Sequence, residues 1–168
     1  MPRVALFATI FLVAVAAVAI VATSAGLPDP VATHFGAAGR ANGWMSRDGY
    51  VLFMLAMVVG LPLALLLSMV WLPGFAPRLV NIPNREQWMA GPARPAALAS
   101  LAGFGAGFSG LTAAFLVGLH LLLVAANEVT PPVLPQQGFF WLLVLFVLGI
   151  ALLLIALALR FRRPPGRH

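Results

Sequence analysis

Two of the three histidines and two of the four acidic residues carry most of the chemistry this sequence could perform. His34 and Asp29 fall in one polar segment, while His120 and Glu128 fall within and just after a long apolar run. Imidazoles with carboxylates are a usable ligand set for zinc, copper or iron, so a small membrane metalloprotein or transporter built on His34 and His120 is one reading. No HExxH and no second histidine at helical separation supports it, and a proton relay has only His120 to titrate inside a bilayer. The plainer role is structural, with His34 bonding loop backbone and His120 bonding a neighbouring helix. The absence of cysteine excludes disulfides, thiol nucleophiles, iron–sulfur clusters and Cys-ligated zinc. No GxSxG, Walker A or strand-to-helix dinucleotide motif occurs, and Gly103-x-Gly105-x-Gly107 lies in an apolar run where glycines mean packing. We therefore assign no catalytic residue, no metal and no cofactor, and read the chain as a non-enzyme.

The elements that must position these residues are membrane helices. Of 168 residues, 62% are hydrophobic and 8% charged, against roughly a quarter charged in soluble domains. Lipid must solvate most of such a surface. Apolar runs at about 4–25, 51–71, 98–126 and 139–159 are each long enough, at about 1.5 Å per residue, to cross a hydrocarbon core of about 30 Å. The first exceeds the apolar core of a secretory signal peptide, so we read it as an uncleaved anchor. Pro62 predicts a kink in the second. In the third, Gly103 and Gly107 form a GxxxG pair with Gly110 on a neighbouring stripe, which predicts close helix packing, within this bundle more than between copies. At about 100° per residue, Ser109, Leu116, His120 and Asn127 share a narrow stripe, a polar track leading outward from His120. Phe139, Phe140 and Trp141 open the fourth at an interface.

All ten basic residues are arginines in or beside the segments between apolar runs, a pattern that sets topology and meets anionic head groups and does not indicate nucleic acid. With four spans, Arg3, Arg78, Arg85, Arg94, Arg160, Arg162, Arg163 and Arg167 fall on one side, and Arg40 and Arg47 on the other. The positive-inside rule then makes both termini and the middle loop cytoplasmic, in a bacterial inner (cytoplasmic) membrane.

The outer loop from Leu27 to Arg47 is dense in residues that shape backbone. Pro28 and Pro30 stop the first helix, and Gly36, Gly39 and Asn42-Gly43 suit tight turns. Phe35, Trp44 and Tyr50 are placed at the head-group level. The stretch Leu27-Pro28-Asp29 through Thr33-His34-Phe35-Gly36, with Gly39, Asn42-Gly43-Trp44 and Ser46-Arg47, resembles the signature of a bacterial membrane family called domain of unknown function 1648. The resemblance implies a multi-pass membrane protein. One member type, similar only in this N-terminal part, is an immunity protein against a sporulation-delaying peptide toxin, which implies toxin resistance or envelope signalling in some relatives. A segment of the middle loop, Asn81-Ile82-Pro83-Asn84-Arg85-Glu86-Gln87-Trp88, also resembles shorter four-span relatives. Physically, Asn84 caps a short helix there, with Gln87 reaching back and Trp88 dipping to the interface.

The expected fold is an all-α membrane protein, one integral domain over 1–168, a four-transmembrane-helix bundle with an ordered extracytoplasmic loop between helices 1 and 2. The expected function is a binding or sensing component, with toxin immunity or envelope signalling as its context. Pro28, Asp29, Thr33, His34, Phe35, Gly39, Asn42, Gly43 and Trp44 form an outer ligand or partner site, and Asn81, Pro83, Asn84, Arg85 and Trp88 an inner one. His120 and Asn127 are the intramembrane polar pair. The alternative is an accessory subunit held through the glycine-rich third helix. The partners are the lipid bilayer and a protein or peptide, in a homo-oligomer or hetero-complex, and no nucleic acid.

Overall fold

The computed structural model describes residues 2–163; Arg167, counted above, lies outside them. Helix α1 (Pro2–Ser24) leads into a two-stranded antiparallel hairpin, β1 (Val31–Phe35) and β2 (Ala41–Met45), and then α2 (Arg47–Val70). Two short helices, α3 (Leu72–Phe75) and α4 (Arg85–Trp88), and two 3-10 turns at Pro77–Leu79 and Gly91–Ala93 form the connector to α5 (Arg94–Asn127). A short segment then leads to α6 (Gln136–Phe161). Four helical segments, Leu6–Ser24, Arg47–Phe75, Gly91–Asn127 and Gln136–Phe161, are long and apolar enough to cross a membrane, as the composition requires. The chain is a multi-pass, all-α membrane protein with a bilayer as its solvent.

Helix α5 is the centre of the bundle. It packs on α1 and α2, and α6 packs chiefly on α5 from its other side. Ala16 and Ile20 of α1, Tyr50, Met54 and Val58 of α2, Leu116 and Leu123 of α5, and Val31 of β1 form one continuous core. By contrast, Phe161 is the only buried residue of α6, whose other side chains remain lipid-facing or half-covered. Helix α2 continues through Pro62 unbroken, and the Pro62 carbonyl accepts a 2.6 Å hydrogen bond from Ser109 Oγ of α5.

The glycines of α5 divide differently from the motif. A Cβ on Gly103 would meet nothing within 4 Å, so Gly103 does not mediate packing in this bundle. On Gly107 it would approach Leu153 Cδ2 of α6 at 3.2 Å, and on Gly110 Leu12 Cδ2 of α1 at 3.5 Å. The closest approaches are elsewhere: Gly105 faces Met69 Cβ at 2.9 Å and Gly118 faces Leu142 Cδ1 at 2.7 Å. Helix rotation, set by the whole bundle, decides which small residues meet a neighbour.

Candidate functional site

The loop between α1 and α2 is a β-hairpin clasped to the helix ends. Asp29 Oδ1 accepts the Arg47 amide at 3.2 Å, and Ser46 Oγ accepts the Gly49 amide at 3.2 Å, so two side chains satisfy donors that the first turn of α2 leaves open. Arg47 Nη1 donates to the Leu27 carbonyl at 3.3 Å, tying the end of α1 to the start of α2. Gly39 takes φ +75°, a left-handed turn conformation that glycine adopts without a Cβ penalty. Gly43 lies opposite His34, whose Cβ would stand 3.0 Å from a side chain there, so a larger residue would crowd the pairing.

The hairpin is also held by α5 and by the segment before α6. Asn127 Oδ1 accepts the Ala32 amide at 2.8 Å, and Asn127 Nδ2 donates to the Ala32 carbonyl at 3.0 Å, so one side chain pairs with β1 as a neighbouring strand would. Arg40 and Val133 form an antiparallel bridge, the Leu134 amide donates to the Gly39 carbonyl at 2.8 Å, and Gln136 Nε2 donates to the Ala37 carbonyl at 2.7 Å. The two loops at this end are therefore one structure.

Beneath it, one turn and more inside Asn127, His120 is fully buried. Its Nδ1 lies 2.7 Å from Tyr50 Oη of α2, and its Nε2 lies 2.7 Å from Thr23 Oγ1 of α1. Thr23 Oγ1 is also 2.7 Å from the Ala19 carbonyl, which can only accept. One direction satisfies every group: Tyr50 donates to Nδ1, Nε2–H donates to Thr23, and Thr23 donates to Ala19. Three helices are thus joined through one neutral imidazole. The sequence placed Tyr50 at the head-group level; it is turned inward instead, 2% exposed and stacked on the imidazole with centroids 5.7 Å apart. Tyr50 is the chain's only tyrosine, a polar ring beside an apolar run.

A cleft of about 570 Å³ opens between these pieces. Thr33, His34, Phe35 and Gly36 form its hairpin wall with Ala37 and Gly39, Leu119 and Leu123 of α5 form its floor, and Leu134, Gln136 and Phe139 close the far side. Of the expected outer residues, Thr33, His34, Phe35 and Gly39 line it. Pro28, Asp29, Asn42, Gly43 and Trp44 do not, and Asp29 and Gly43 shape the loop instead. Trp44 is 53% exposed away from the cleft. The sequence offered no signal for Leu119, Leu123, Leu134, Gln136 and Phe139, because their approach to the hairpin depends on the packing of α5 and α6.

The alternative reading as a metalloprotein gains no support: among the described residues no three of His, Cys, Asp and Glu come together, and Asp29, His34, His120 and Glu128 do not converge. Both nitrogens of His120 are engaged as above, and His34 Nδ1 lies 3.1 Å from Thr33 Oγ1, a side-chain partner where a backbone one was expected.

At the opposite end of the bundle, the connector holds α6. Asn84, in a left-handed conformation with φ 52°, makes no capping bond to α4. Its Nδ2 donates to the carbonyls of Phe161 at 3.1 Å and Arg162 at 2.8 Å, groups that the end of α6 leaves open. Trp88 is buried rather than interfacial; its Nε1 donates to the Phe161 carbonyl at 3.2 Å, and the Arg160 guanidinium sits 4.6 Å above its ring. Asn84 therefore caps a helix 77 residues away. Asn81, Asn84 and Arg85 line a second cleft of about 370 Å³ with Glu86 and Gln87, whereas Pro83 and Trp88 do not.

Four spanning helices with a hairpin built across one end define a small multi-pass membrane protein. Residues 9–60, from α1 through the hairpin to the middle of α2, match the family described as Domain of unknown function (DUF1648). Neither a curated protein nor a solved structure matches the chain.

Proposed function

We propose that this is a binding component of a bacterial inner membrane whose cleft under the hairpin takes an apolar peptide segment presented from the extracytoplasmic side. The single observation that carries the reading is the cleft of about 570 Å³. Its floor and far wall are Leu119, Leu123, Leu134 and Phe139, and Thr33, His34 and Gln136 supply hydrogen-bonding groups at its edge. Apolar walls with a few placed polar groups are the usual makeup of a binding cleft. The arginines support the orientation: Arg78, Arg85, Arg94, Arg160, Arg162 and Arg163 gather at the connector end, against Arg40 and Arg47 at the hairpin end, the asymmetry that the positive-inside rule associates with cytoplasmic termini. The inner cleft around Asn81, Asn84 and Arg85 is then the cytoplasmic site through which toxin immunity or envelope signalling would act.

The test uses the full chain in lipid nanodiscs and a fluorescent octapeptide rich in leucine and phenylalanine. Leu119→Trp, at the half-buried position of the floor, fills the cleft and weakens binding at least tenfold; equal affinity in the two proteins overturns the reading. An accessory-subunit role has one observation of its own, an apolar groove of about 380 Å³ between α1 and α5 lined by small residues, Ala16, Ala19, Ala113, Ala114 and Gly118 among them. Purification in mild detergent recovers a stoichiometric partner if that reading holds and the chain alone if it does not.

A further inference from the structure

A separate cleft of about 410 Å³ lies between the last turns of α1 and the first turns of α2. Its polarity runs in one direction. Arg47 and Asp48 stand at the membrane-surface end, Ser24 lies beside them, and Val21, Val51 and Leu55 line the part that continues toward the bundle centre.

The polar groups at this mouth have unspent capacity. Arg47 uses Nη1 on the Leu27 carbonyl, and among the described residues its Nη2 and Nε carry no hydrogen bond. The Asp48 carboxylate has no hydrogen-bond partner among the described residues and is exposed. The start of α2 is not itself an anion site, because the Arg47 and Gly49 amides are already taken by Asp29 and Ser46. Ser24 is 3% exposed, and its Oγ is covered by the chain itself, so the free polar groups at the mouth are those of Arg47 and Asp48.

We propose that this cleft binds one phospholipid with a phosphoethanolamine head group. The phosphate meets the Arg47 guanidinium, the ammonium meets the Asp48 carboxylate, and an acyl chain lies along Val21, Val51 and Leu55. The charge pair makes the choice of head group. A guanidinium and a carboxylate at one mouth complement a zwitterion: a phosphoglycerol head offers the same phosphate to Arg47 but no cation to Asp48, and an ammonium donates hydrogen bonds that a choline cannot.

Native mass spectrometry of the full chain, delipidated and then titrated with phosphatidylethanolamine, phosphatidylcholine and phosphatidylglycerol of identical acyl chains, tests this. The wild type retains one phosphatidylethanolamine at least fivefold more tightly than either competitor. Asp48→Asn, an exposed change with no hydrogen bond to lose, abolishes that preference while the lipid-free protein stays folded, with only the small loss in melting temperature that removing a charge from the first turn of α2 brings. Equal retention of the three lipids by the wild type, or an unchanged preference in Asp48→Asn, overturns the proposal. The cleft under the hairpin is a different site, so neither result bears on the peptide reading.

Discussion

The two ends of the bundle solve the same problem in opposite ways. At the hairpin end, side chains of the central helix reach outward: His120 joins α1 and α2, and Asn127 pairs with the backbone of β1. At the connector end, the loop reaches inward, and Asn84 and Trp88 bind the last carbonyls of α6. The hairpin is therefore fastened to a three-helix core, whereas the connector is fastened to the one helix that has almost no core of its own. A ligand at the hairpin end would meet a preformed wall. A change at the connector end would act on the placement of α6.

The largest expected effect is at His120. His120→Leu removes two interhelical hydrogen bonds, each worth about 0.6–2 kcal/mol in membrane proteins, and leaves the buried Tyr50 hydroxyl without an acceptor. The melting temperature in detergent falls more than for any other single change described in this section, and Tyr50→Phe added to His120→Leu restores part of it. A melting curve unchanged by His120→Leu would remove the hairpin-end network from the account.

Asn84→Ala and Asn127→Ala separate the two ends at a cost of about 1 kcal/mol each. Hydrogen exchange sharpens the contrast: Asn127→Ala accelerates exchange at the Ala32 amide and leaves the end of α6 alone, and Asn84→Ala loosens the last turn of α6 and leaves the hairpin alone. Exchange spreading to both ends in either variant would mean that the bundle couples them. The smallest effects are at the glycines. Gly103→Ala, facing open space, is neutral or stabilising by up to about 1 kcal/mol through helix propensity. Gly105→Ala is destabilising because its new Cβ meets Met69 Cβ, close to the α2 backbone.

Much of the scaffold was readable in advance. The four apolar runs became the four helices, and the stripe of Ser109, His120 and Asn127 became the line along which α5 bonds to α2, α1 and β1. The glycine-rich loop was readable as ordered, though not as a hairpin. The site was much less legible. Thr33, His34, Phe35 and Gly39 were named for it, but its floor of Leu119 and Leu123 looks in sequence like any other lipid-facing leucine pair. Asn84 was assigned to the helix that follows it, because local spacing shows nothing of a partner at Phe161.

Span length, number and polarity are properties of contiguous residues, since a bilayer tests each segment against a fixed thickness and a uniform solvent. Those the sequence settled. The pairing of Tyr50 with His120, the open position of Gly103, the cap on α6 and the shape of the two clefts at the hairpin end belong to the assembled bundle. They depend on how each helix is rotated about its own axis, and that angle minimises packing and hydrogen-bond energy over all four helices together.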